Sequence, residues 1–148
     1  MDLFNDAVSA ITDQLSGLWP NPAENPHLVN GKLRPCPGTP NCVSSETADP
    51  IQKVDPFTFS GSAEQAWDAL KTVVAENGGT VRDSDKEYLW STFTVPVFGF
   101  VDDVEFRLSR EEGVIHVRSS SRLGFSDLGV NRGRVGQLRG AFRKALQA

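Results

Sequence analysis

The sequence predicts an α+β fold: a small antiparallel sheet of about four to five strands packed with two helices, plus an N-terminal amphipathic helix and a Pro-rich loop. Three observations point to it. Apolar residues recur at spacings of three and four in three separate segments, short runs with strand character lie between the second and third, and Gly, Pro and Asn gather at the joints. The chain has 148 residues, 39% of them hydrophobic, with nine Phe and three Trp, which is enough for the core of one domain.

Residues 1–20 carry the first helical pattern. Leu3, Ala7, Val8, Ile11, Leu15, Leu18 and Trp19 share one apolar stripe, Asp2 and Asp6 suit a helix N-terminus, and Pro20 stops the helix. The acidic polar face argues against anionic lipid, so the stripe is expected to pack on its own domain or on a protein partner. Residues 21–50 read as a loop, because Pro22, Pro26, Pro35, Pro37, Pro40 and Pro50 interrupt any regular backbone.

Residues 51–148 form the expected α+β domain. Phe57-Thr58-Phe59 is a short strand. Ser62, with Gln65 three residues on, opens a helix whose buried face is Ala66, Trp67, Leu70, Val73 and Val74 and which Asn77-Gly78-Gly79 ends. Strands follow at about residues 80–83, 88–95, 100–108 and 114–120. The last helix begins near Asn131, taken as its N-cap, and carries the stripe Val135, Leu138, Phe142 and Leu146.

The turn Arg110-Glu111-Glu112-Gly113 sets a hairpin register. A four-residue loop places Ser109 opposite Val114, which pairs Arg107 with His116, Glu105 with Arg118 and Asp103 with Ser120 on one face, and Leu108 with Ile115 and Phe106 with Val117 on the other. A slip of one residue would mix the two faces. The polar face bearing Asp103, Glu105, Arg107, His116 and Arg118 is either a solvated sheet surface or a site.

The net charge of −4 disfavours nucleic acid as a partner. Between His116 and Lys144 the basic residues are Arg118, Arg122, Arg132, Arg134, Arg139, Arg143 and Lys144, and the one acid is Asp127. The acids Asp102, Asp103, Glu105, Glu111 and Glu112 lie just upstream, so the two sets are expected to meet each other. Arg132, Arg139 and Arg143 share a helix face and are expected to pair with Asp102, Asp103 or Glu105. No apolar run reaches the length of a membrane span and no secretory signal pattern opens the chain, which implies a cytoplasmic protein.

Two segments carry the residues suited to chemistry. Arg122 to Arg132 packs Arg122, Ser126, Asp127, Asn131 and Arg132 into a Gly-containing loop that runs into a helix, an arrangement able to present N–H groups to an anion. It is neither a Walker loop nor a dinucleotide loop, so no cofactor is expected. Cys36 and Cys42 lie in a loop rich in Gly and Pro and leave three readings open: a small disulfide, a reactive thiol at Cys42, or two inert buried cysteines. His116 is a candidate base for such a thiol. No Ser/His/Asp order or metal motif stands out, so no metal is expected.

These segments resemble the signatures of the domain-of-unknown-function family 1499. The resemblance rests on Cys36-Pro-Gly-Thr-Pro-Asn-Cys-Val-Ser-Ser45, Phe100-Val-Asp-Asp-Val-Glu-Phe-Arg107 and Val117-Arg-Ser-Ser-Ser-Arg-Leu-Gly-Phe-Ser-Asp-Leu-Gly-Val-Asn-Arg132. It implies no activity. It highlights Asn41, Cys42, Ser44, Ser45, Asp102, Asp103, Glu105, Arg118, Ser119, Arg122, Ser126, Asp127, Asn131 and Arg132. Its spread through bacteria, cyanobacteria and plastids adds a second expectation for location, peripheral to a membrane in a photosynthetic cell.

Together these readings predict a binding or assembly module. Its site is a polar pocket where the Asn41–Ser45 loop folds against Arg118–Arg132, with Asp102 and Asp103 neutralising the arginines, for a small anionic ligand or a protein partner. The alternative is a hydrolase or thiol-dependent transferase using Cys42.

Overall fold

A computed structural model of the chain describes residues 25–95, 99–122 and 129–147. In chain order they form β1 (Cys42–Ser44), β2 (Phe57–Thr58), α1 (Ala63–Glu76), β3 (Gly79–Ser84), β4 (Tyr88–Thr94), β5 (Val101–Ser109), β6 (Val114–Ser121) and α2 (Val130–Gln147). The expected N-terminal helix, and Ser126 and Asp127, lie outside the described residues.

The strands make one six-stranded antiparallel sheet in the order β1-β6-β5-β4-β3, with β2 also on β6. The β5–β6 hairpin has the expected register throughout, from Ser109↔Val114 through Glu105↔Arg118 to Asp103↔Ser120. Gly113 closes its turn at φ 68°, a conformation that costs a residue without Cβ little. Two boundaries differ from expectation. The Pro-rich loop yields β1, because Cys42, Val43 and Ser44 contain no proline and pair with Ser120, Ser119 and Arg118. α2 starts at Val130, so Asn131 stands inside its first turn rather than capping it.

One face of the sheet packs against both helices. Ser62 accepts the Gln65 N–H at 3.1 Å and starts α1, whose buried residues are Ala66, Trp67, Leu70, Val73 and Val74, the expected face. From α2 come Val135, Leu138 and Phe142, and from the sheet Leu89, Phe93, Val104, Phe106, Leu108, Ile115 and Val117. Phe57 sits between Phe106 and Phe142 with ring centroids 5.8 and 5.6 Å away. Each fully buried Val, Leu, Ile or Phe among them contributes roughly 1.5–3 kcal/mol of burial free energy. Leu146, expected in the stripe, is 36% exposed on the last turn of α2. No helix among the described residues is long and apolar enough to cross a membrane.

The glycines of α2 separate local propensity from packing. Gly133, Gly136 and Gly140 lie on the exposed side, and a Cβ there would meet nothing within 4 Å. Gly79 is the opposite case: a Cβ would fall 2.6 Å from the Phe93 ring and 2.7 Å from Val74. Urea denaturation of G133A, G136A and G140A should therefore show a gain of about 0.5–1 kcal/mol each, whereas G79A should be destabilised.

Candidate functional site

The second face of the sheet is polar. Strand alternation puts Tyr88, Trp90 and Thr92 of β4, Asp103, Glu105 and Arg107 of β5, and His116 and Arg118 of β6 on it. It is not a solvated surface. Glu105 is 0% exposed, Asp103 and Arg118 are each 5% and His116 is 7%. Charges so placed need partners, and part of the Pro-rich loop supplies them by lying across the face.

Glu105 is the centre. Tyr88 donates to its Oε1 at 2.6 Å. Arg34 of the loop donates from Nε to Oε1 at 3.2 Å and from Nη2 to Oε2 at 2.8 Å, and Arg118 donates from Nη1 to Oε2 at 3.1 Å. Burial pushes the Tyr88 phenol far up, and the neighbouring Glu105 carboxylate pushes the same way. Burial lowers Arg118, and Glu105 only partly offsets it. For the less buried Arg34, burial also lowers the value, but Glu105 together with Tyr88 and Asp103 outweighs it and the result is raised. Arg118 remains charged, since a guanidinium does not lose its proton in proteins. Its Nη2 donates to the Pro35 carbonyl at 3.3 Å, while its buried Nε has no hydrogen-bond partner among the described residues.

Next to this centre, Arg122 forks onto Asp103 through Nε–Oδ2 at 3.0 Å and Nη2–Oδ1 at 3.1 Å, and Trp90 donates to the same Oδ1 at 2.8 Å. At the other end, Arg107 donates to Glu46 at 2.5 Å. His116 Nε2 meets Glu112 at 3.1 Å, and Nδ1 meets Ser45 Oγ at 2.9 Å. A neutral His116 that donates from Nε2 to the carboxylate accepts at Nδ1 from the Ser45 hydroxyl. The hydrogen bond from His116 is the main cause that holds the Glu112 carboxyl below its ordinary range. Ser45, His116 and Glu112 are the residue types of a hydrolytic triad, but Ser45 is 2% exposed and its oxygen already accepts the Val117 N–H at 2.9 Å. It pins the loop rather than presenting a nucleophile. The turn itself puts Glu112 four residues before His116, the signal for this pair in the sequence.

The disulfide question resolves in favour of the bridge. Cys36 and Cys42 are joined by an S–S bond of 2.02 Å. Cys42 therefore holds no free thiol, and the thiol-dependent alternative lacks its nucleophile while the bridge is closed.

The sheet divides the remaining candidates. Asn41 does fold against β6: its Nδ2 donates to the Ser121 carbonyl at 3.4 Å, and Ser121 N–H donates to its carbonyl at 3.0 Å. Ser44 faces Arg118 across β1–β6 and accepts the Glu46 N–H at 3.1 Å. Asp102 points to the helix face, opposite to Asp103, and pairs with Arg134 at 2.5 Å. Ser119 donates to Asn131 Oδ1 at 2.5 Å, and Asn131 Nδ2 donates to Ser121 Oγ at 2.9 Å and the Asn41 carbonyl at 3.3 Å. That amide ties α2 to β6 and β1. Arg132 binds the backbone carbonyls of Lys53 and Ile51, and Arg139 that of Asp55 at 2.6 Å, so neither pairs with the acids of β5 as expected. Helical rotation brings Arg134 over Phe93 and Asp102 instead. The face bearing Arg34, Asp103, Glu105, Arg118 and Arg122 is the candidate site. Among the described residues no three His, Cys, Asp or Glu side chains come together as metal ligands.

The family model described as "Protein of unknown function (DUF1499)" matches residues 32–142, which include Arg34, both cysteines and the whole polar face. No curated protein matches the chain.

Two outcomes follow from the Glu105 cluster. Replacing Glu105 with Gln leaves two guanidiniums facing an uncharged group, and chemical denaturation should register a loss of about 3–5 kcal/mol. Tyr88 is the single tyrosine of the chain, ordinarily titrating near 10.0. Because its folded value lies above the unfolded one, its contribution is complete below about pH 10 and is lost as pH rises further. Tyrosinate absorbance should thus appear only together with unfolding, and Y88F should flatten the decline of stability above about pH 10.

Proposed function

This chain belongs to the DUF1499 family of proteins of unknown function, and we propose that it is a binding or assembly module whose polar sheet face recognises an anionic group. The observation that carries the reading is the charge balance at Glu105. Two guanidiniums, Arg34 and Arg118, share that one carboxylate, and among the described residues the buried Nε of Arg118 has no hydrogen-bond partner. A cluster with more donors than acceptors favours a carboxylate, phosphate or sulfate group beside it. The Arg34 side chain is 27% exposed, so it forms the accessible edge of the cluster.

A module of this kind has a second contact to offer. The apolar stripe Leu3, Val8, Ile11, Leu15 and Trp19 of the N-terminal sequence suits docking on a protein. Deleting residues 2–19 should change the oligomeric state or the recovered partners; an unchanged protein would remove that role.

The anion reading is tested by thermal unfolding of the full chain in inorganic phosphate, sulfate and acetate at constant ionic strength. A ligand at about 100 times its Kd should stabilise the fold by about 2.7 kcal/mol, and R34A should abolish the effect while still folding. If no anion raises the melting temperature, or if R34A responds as the parent does, the cluster only pins the loop.

A further inference from the structure

We propose that the Cys36–Cys42 disulfide is a redox-sensitive clasp that holds the segment at residues 33–40 over the polar face and releases it when a dithiol reductant opens the bridge. The first observation is where the bridge sits. Cys42 opens β1 and is 1% exposed, whereas Cys36 lies in the segment and is only half-buried. Neither cysteine belongs to the contiguous hydrophobic cluster on the helix side of the sheet, which takes Val43 from β1. The more accessible cysteine thus belongs to the segment, and the buried one to the scaffold.

The second observation is how unequally the two sides are held. β1 stays in place without the bridge: it pairs with β6 over three residues, and Ser45 N–H donates to the Val117 carbonyl. Between Leu33 and Pro40 there is no strand or helix. That stretch is held by side chains reaching in from elsewhere. Glu46 accepts the Leu33 N–H, Arg118 donates to the Pro35 carbonyl, and Gln52 donates to the carbonyls of Pro37 at 2.8 Å and Thr39 at 3.1 Å. Arg34 is the one side chain of the segment that reaches the buried carboxylate. A cross-link between residues six apart therefore restrains the local segment, and its loss is felt there first.

The chemistry balances with a dithiol as the co-reactant. Its thiolate attacks Cys36 Sγ, the Cys36–Cys42 bond breaks, and Cys42 leaves as a thiolate that takes up a proton. The second thiol of the reductant then displaces Cys36, which is protonated in turn. Two electrons and two protons pass to the protein, and the reductant becomes the disulfide. In the open form Glu105 keeps Arg118 and Tyr88 while Arg34 swings free, so the carboxylate stays paired and the sheet stays folded.

Hydrogen exchange read by mass spectrometry on the full chain tests this, comparing the air-oxidised protein, the protein in dithiothreitol without denaturant, and the C36S/C42S variant. Opening the bridge should accelerate exchange in peptides covering residues 33–41 by on the order of tenfold or more, with β4, β5 and β6 unchanged. Dithiothreitol and the double variant should give the same pattern. Three results would overturn the proposal: unchanged exchange in the segment, protection lost across β4–β6 as well, or a bridge that dithiothreitol reduces only after denaturation.

Discussion

Glu105 stands in the middle strand of the sheet with no exposed surface, and an ionised carboxylate there is tolerable only if every oxygen is answered. Three parts of the chain far apart in sequence answer it. Tyr88 comes from the strand on one side, Arg118 from the strand on the other, and Arg34 from a segment with no regular structure. The requirement works in both directions. The carboxylate needs a lid, and the lid, whose prolines cannot join a ladder, needs donors and acceptors on the sheet to settle against. Arg118 serves both, holding Glu105 and the Pro35 carbonyl.

Strand alternation then decides which charges can cooperate. Asp102 and Asp103 are neighbours in sequence but lie on opposite faces. Asp103 joins Arg122 and Trp90 on the polar side, while Asp102 meets Arg134 at the base of α2. A second polar seam runs through the sheet edge, where Asn131 links Ser119, Ser121 and the Asn41 carbonyl. The first cluster lies under the lid, where Arg34 and Arg118 share the Glu105 carboxylate. The second is a joint between helix and sheet built from amides, hydroxyls and a backbone carbonyl. The ligand proposal attaches to the first because its groups are charged, whereas the second joins neutral groups.

Much of this was legible in the sequence, and the reason is local. The α1 face from Ala66 to Val74 follows from helical period, and the β5–β6 register follows from a four-residue turn together with the need to keep Phe106 and Leu108 on one side. Glu105 beside Arg118 came with that register. So did the polar face itself, because a period of two cannot hide which side Asp103, Glu105 and Arg107 share. The adjacency of Asn41 to β6 was legible for a different reason: a proline-rich backbone must find its partners somewhere, and polar residues were concentrated in one distant segment.

What the tertiary structure alone decided was burial and partner choice. Periodicity says that Glu105 and His116 share a face; it cannot say that residues 33–46 cover that face, since the covering contact between Arg34 and Glu105 spans 71 positions. Nor can it separate Arg134 from Arg132 and Arg139 as the partner of Asp102, because that depends on the rotation of α2 over the sheet. The sequence offered three states for Cys36 and Cys42, and the path of the loop selected the bridge. Local pattern determines the faces that a segment presents, whereas the identity of what lies opposite each face is a property of the packed chain.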